Sequence, residues 1–275
     1  MVWNEQFQKK KFKFVYDRPE QIVLCRWQTD TRTTTAYLLY RMAFLTFFLG
    51  TLYFGGRKAL IPCSAFKKIN KGAVWAYYTT WSEMFCTLAA VSACIITVNQ
   101  YIRDEDYEED SEMNVYECRT WFRVHMVLYT LALDSSISLI VGYFGFVYFN
   151  EKKIYLGISF VVHLWNGVVM LLDFALSSMP THLFHFYAGV CLAFIYGFCS
   201  WLYYMLGGEN VHGGEYLYKL LNWKEDPWVA VLFVFASSVL LVVVRLLVFT
   251  LSVIRDTIFY KYYYVESDAD PKIIF

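Results

Sequence analysis

Six apolar stretches dominate this chain, at approximately residues 36–55, 74–100, 122–148, 154–176, 183–206 and 228–254. Each is close to the ~20 residues that a helix needs to cross the hydrocarbon of a bilayer. With no water at that depth, backbone polar groups must be satisfied within the protein, so continuous apolar runs of this length cross as helices. The connections are too short to hold a separate soluble domain. The chain therefore reads as an all-α polytopic membrane protein, a six-transmembrane-helix bundle over residues 36–254, preceded by an arm (1–35) and followed by a tail (255–275). A content of 58% hydrophobic and 20% aromatic residues fits no other class as well.

Even spans place both termini on one side. The first 35 residues carry Lys9, Lys10, Lys11, Lys13, Arg18, Arg26 and Arg32, and the excess of basic residues near the terminal side favours cytoplasmic termini. Basic and aromatic residues alternate in this arm, which suits an anionic headgroup layer, so it is expected to lie on the membrane surface. Its polar, basic start excludes a cleavable signal peptide there. The expected location is the endoplasmic reticulum or the plasma membrane. Lys+Arg and Asp+Glu are equal at 24 each, giving no argument for nucleic acid. The acidic run at 103–112 reads as a solvated connector. Seven cysteines without C-x-x-C spacing imply neither a disulfide framework nor a zinc site.

Polar residues inside the spans are the exception that calls for explanation. In the fourth segment Ser159, His163, Asn166, Met170, Asp173 and Ser177 follow one another at steps of three or four, a polar stripe on an otherwise apolar helix. Ionisable groups at that depth cost on the order of a few kcal/mol each and by default suggest a site. The second, fourth and sixth segments run in one direction, so depth can be counted from a common end. Thr79, Glu83, His163 and Asn166 then fall within roughly 10 Å of one another, at about 1.5 Å per residue. Deeper, Arg41, Asp173 and Arg245 share a second level and read as a structural ion-pair cluster. Asp134, with Thr130 and Ser138 on its face, has no assigned partner.

The first level admits a chemistry. A hydroxyl becomes a nucleophile when a neutral imidazole takes its proton, so Thr79 or Thr80 with His163 would meet the need. Glu83 could hold the other imidazole nitrogen, and Asn166 could donate to an oxyanion. The same residues also suit a packed histidine and threonines bonded to their own helix. His182 and His185 have ligand spacing, but too few carboxylates share their level for a metal site, and neither a metal nor another cofactor is expected. A channel would need a continuous polar path, which the Arg245 and Asp173 level would plug.

Nearly the whole length resembles the rolling stone-like membrane proteins. The likeness rests on the lead KKFKFVYDRPEQIVLCRWQ, on Tyr40-Arg41, on YYTTW at 77–81, on HLWNGVVMLLD in the fourth segment, and on Gly207-Gly208, Gly213, Tyr216, Tyr218 and Asn222-Trp223 in the 207–223 loop. Those proteins are in turn similar to the androgen-induced membrane hydrolases, six-helix enzymes that cleave fatty acid esters of hydroxy fatty acids with a threonine and a histidine. That second resemblance implies Thr79 as nucleophile, with Thr80 as the alternative register, and His163 as base. It also implies membrane lipids and a lipid-ester substrate as partners. The first resemblance implies instead a role in myoblast fusion, as a membrane interaction factor.

Overall fold

The computed structural model describes residues 12–14, 22–28, 32–58, 71–106, 115–148, 161–210 and 213–263. The described residues form six α-helices: α1 (Thr35–Lys58), α2 (Tyr78–Asp106), α3 (Val115–Gly142), α4 (Asn166–Leu176), α5 (Phe186–Met205) and α6 (Pro227–Tyr263). Among the described residues there is no strand, only a single bridge between Cys25 and Ser177. The protein is an all-α membrane bundle. Among the described residues five helical segments are long and apolar enough to cross a bilayer, with mean hydropathy from 1.4 to 2.8, and a further apolar helix, His163–Leu176, is shorter. Residues 154–160, the expected beginning of that fourth span, lie outside the described set.

Local chemistry sets where the helices stop. α5 closes on Gly207, whose φ of +75° is left-handed and open to glycine without strain. There Gly207 N–H donates to the Tyr204 carbonyl at 2.9 Å and Gly208 N–H to Tyr203 at 2.9 Å, satisfying two carbonyls that the helix end would leave bare. α6 opens on Pro227, at a position where its missing N–H costs no helical bond.

Antiparallel order follows from the contacts at the two ends. The Thr33 N–H, before α1, donates to Asp104 near the end of α2 at 2.8 Å, while Thr51, late in α1, reaches Glu83 near the start of α2. Arg26 and the late-α6 Asp256 approach to 3.3 Å, so the described part of the arm and the end of α6 share one end of the bundle. The apolar core lies between α1, α2, α3, α4 and α6, where Phe48, Ala89, Ala132, Leu133, Met170 and Val248 are buried.

Small residues set the helix spacing. Gly189, Ala193 and Gly197 repeat every fourth position on α5, and two of them receive α6. A Cβ at Gly197 would stand 2.7 Å from Val234 Cγ2, and one at Gly189 would stand 3.3 Å from Leu241. Without a hydrophobic drive between helices in lipid, such close backbone approach supplies the contact that holds them together. Side chains such as Leu39, Leu49, Phe198, Leu232 and Val243 are turned outward and exposed, the face that a bilayer covers.

The arm was expected on the membrane surface, and most of its basic residues lie outside the described set. Its described residues pack on the protein. Ile22 and Val23 are buried, the Arg26 N–H donates to Leu176 O at 2.7 Å, and Trp27 Nε1 donates to Ala175 O at 2.8 Å. Phe12 stacks on Phe184 with centroids 4.0 Å apart, and Phe14 lies 3.9 Å from the His185 ring. These contacts fill the space at the end of α4, whose last carbonyls would otherwise lack donors.

Gly197→Ala should lower the thermal midpoint of the purified protein, because overpacking there costs about 1–3 kcal/mol. Val234→Ala in the same chain should restore part of the loss. Gly50→Ala, which meets no atom within 4 Å, should leave the midpoint where it was.

Candidate functional site

Two ion pairs fill the centre of the bundle. Arg41 Nη1 donates to Asp173 Oδ1 at 2.5 Å, and the Tyr40 hydroxyl donates to the same oxygen at 2.8 Å. Tyr37, one turn before Arg41, accepts from the guanidinium through its hydroxyl and lies under it with its ring 4.8 Å from Cζ. Arg245 does not belong to this group. Its Nε and Nη2 both donate to Asp134 Oδ2, at 2.9 and 2.6 Å, and Nη2 also reaches the Thr130 carbonyl at 3.3 Å. The expected single cluster of Arg41, Asp173 and Arg245 is thus two pairs, and Asp134 is the partner the count had left out. Depth counted along a helix leaves its rotation open, and rotation decides which carboxylate each arginine meets. All four side chains are nearly inaccessible.

A third arginine, Arg255, lies toward the end of α6. It is buried and caps α4: Nη1 donates to Phe174 O at 2.7 Å and Ser177 O at 3.1 Å, and Nη2 to Met179 O at 3.2 Å. A cation at a helix C-terminus meets both the bare carbonyls and the negative end of the dipole. The one sequence cue was its place directly after the sixth apolar run.

At the opposite end lies the polar group proposed for chemistry. Glu83 is buried, and its two oxygens accept from the Thr51 hydroxyl and from Asn166 Nδ2. Among the described residues no hydrogen bond joins Glu83 to His163, and Asn166 directs one of its two amide N–H donors to Glu83. Beside them Ser82 and Ser135 share a hydrogen bond of 2.9 Å between α2 and α3. Gly167 lets α4 sit against α3, since a Cβ there would stand 3.2 Å from the Ser136 carbonyl.

His163 sits in a wide π-helical turn, Val161–Trp165, that leads into α4. Its ring stacks on Tyr143 with centroids 4.4 Å apart, and its buried Nδ1 has no hydrogen-bond partner among the described residues. Thr79 lies elsewhere, against Tyr218 of the 207–223 loop. Burial pushes the Tyr218 phenol up from the ordinary tyrosine range, and the Thr79 hydroxyl beside it works in the other direction. Among the described residues no hydrogen bond joins Thr79 to His163. Thr80 is committed to structure: its hydroxyl donates to Val74 O at 2.8 Å.

YYTTW is largely an anchoring motif. The Tyr78 N–H donates to the Tyr196 hydroxyl at 3.1 Å, and that hydroxyl donates to Ala76 O at 3.1 Å. Trp81 Nε1 donates to Trp75 O at 3.0 Å, and Tyr77 meets the Tyr218 ring edge-on at 5.4 Å. The loop itself is pinned by Trp223 Nε1 donating to Ser200 Oγ at 3.1 Å and by the buried Leu221. Folded this way, the loop covers the starts of α2 and α6. His182 and His185 lie at the terminal end, with the His185 Nε2 3.3 Å from Lys13 O, and no group of three metal-ligating side chains occurs among the described residues.

Fold and interior together define a polytopic all-α membrane protein whose buried arginines are neutralised between helices and whose polar end is covered by a folded loop. The sequence profile described as "Protein rolling stone" matches residues 1–270, and the chain belongs to that family. It is 27% identical over 236 residues to "Protein rolling stone" of Drosophila melanogaster, covering 84% of this chain and 82% of that protein. No solved structure matches the chain.

Removing one member of a buried pair leaves an uncompensated charge and typically costs about 3–5 kcal/mol. Arg245→Leu and Asp134→Leu should each lower the thermal midpoint, and combining them should recover much of the loss. Arg245→Leu with Asp173→Leu should lose more than either alone, because each then orphans a different partner.

Proposed function

We propose that this protein is a multi-pass membrane lipid-ester hydrolase, with Thr79 as nucleophile and His163 as base, acting on fatty acid esters such as those of hydroxy fatty acids. The observation that carries the reading is the hydrogen bond from Asn166 to Glu83. It fixes the register of two parallel helices. Thr79 precedes Glu83 by four residues and His163 precedes Asn166 by three, so both stand about one helical turn, ~5 Å, beyond the same tie. The unpartnered Nδ1 of His163 is a ring nitrogen not yet committed to another group.

In the reaction, neutral His163 takes the Thr79 proton as Oγ1 attacks the ester carbonyl carbon. The tetrahedral adduct collapses by breaking the ester C–O bond, and the imidazolium returns the proton to the departing alkoxide. Water, activated by the same imidazole, then hydrolyses the acyl-threonine. Tyr218 covers Thr79, so entry of substrate requires the side chain to shift and the hydroxyl to turn toward His163. Acyl chains buried between helices supply apolar contact while the ester rests at the polar level.

Thr79→Ala, His163→Ala and the double variant should all fall to about the same residual hydrolysis of a long-chain ester, because a dyad acts as a unit. Fluorophosphonate labelling should vanish with Thr79→Ala, whereas Thr80→Ala should keep it. Wild-type hydrolysis by both single variants would end the catalytic reading and leave a membrane interaction protein of the kind implied for cell fusion.

The termini are proposed to be cytoplasmic. A glycan acceptor inserted within residues 59–70 should then be modified and one at the C-terminus should not; the reverse pattern overturns that orientation.

A further inference from the structure

One of the buried carboxylates is met by no arginine among the described residues. Asp173 and Asp134 are each met by an arginine, but Glu83, 4% exposed, is met only by neutral donors, the Thr51 hydroxyl and the Asn166 amide. No Lys, Arg or His forms an ion pair with it among the described residues. A charged group held in a membrane bundle without a counter-ion is strongly disfavoured. A second shortfall lies on the same spot. Asn166 is 3% exposed and turns one amide N–H to Glu83, while among the described residues its Oδ1 has no hydrogen-bond partner. A buried acceptor left bare is unfavourable.

We propose that Glu83 and the Asn166 amide oxygen bind an alkali-metal cation, with the Thr51 hydroxyl oxygen beside them. One ion answers both shortfalls, because hard cations take oxygen ligands, carboxylate and amide carbonyl among them. A single carboxylate in an apolar setting balances a single charge, which favours a monovalent ion over calcium or magnesium. Oδ1 and Nδ2 of Asn166 share one carbon, so an ion on the first is adjacent to the carboxylate that holds the second. Such an ion ties α1, α2 and α4 at one point. The proposal does not require that the protein be a hydrolase.

The test uses the full-length protein in detergent at fixed pH and matched ionic strength, with NaCl, KCl and choline chloride compared by thermal midpoint. NaCl or KCl should raise the midpoint saturably over choline in the wild type, and the response should vanish in Glu83→Gln. Radioactive sodium should be retained by the wild type and lost in that variant. Should Glu83→Gln fail to fold, Asn166→Leu is read instead, and its half-saturating salt concentration should rise at least tenfold. Equal midpoints in all three salts with no retained sodium overturn the proposal, leaving a neutral carboxyl that shares its proton with Asn166. A salt response unchanged in both variants overturns it equally.

Discussion

Burying an arginine in the hydrocarbon region is tolerated only where a carboxylate meets it, and the helices of this protein are arranged to meet that condition twice. Arg41 to Asp173 ties α1 to α4, and Arg245 to Asp134 ties α6 to α3. Lipid offers no hydrophobic drive to bring helices together, so a pair that cannot separate without exposing two charges to hydrocarbon specifies neighbours more sharply than apolar contact does. The aromatic residues around Arg41 add to this: Tyr40 bonds the same carboxylate oxygen, and Tyr37 lies under the guanidinium.

α4 is the helix that depends most on others. It is short, and each of its ends is completed from elsewhere in the sequence. Its start is tied to α2 by Asn166, its middle to α1 by Asp173, and its last carbonyls receive Arg255 from α6 and the backbone of Arg26 from the arm. That dependence places the π-helical turn with His163 at the start of a firmly held element.

Much of this could be read from residues in order. The spans announce themselves by length and composition, and the stripe from His163 to Ser177 marks the interior face of α4, where Asn166, Met170, Asp173 and Ser177 are all buried. The agreement in depth between Glu83 and Asn166 also holds, as their hydrogen bond requires. Partners were harder. Arg245 meets Asp134, Glu83 meets Asn166 and Thr51, and Tyr218 comes down on Thr79 from a loop more than 130 residues away in the chain.

Sequence alone determined the class of protein, the apolar segments and the shared level of Glu83 and Asn166, because hydropathy, helix rise and backbone satisfaction in lipid act along a single segment. Only the tertiary structure decided which groups at one level touch. That depends on how far each helix is rotated about its axis and where close contacts such as Gly167 on Ser136 and Gly197 on Val234 let the backbones meet. Rotation is set by the packing of every neighbour at once, so no single helix carries it in its own residues.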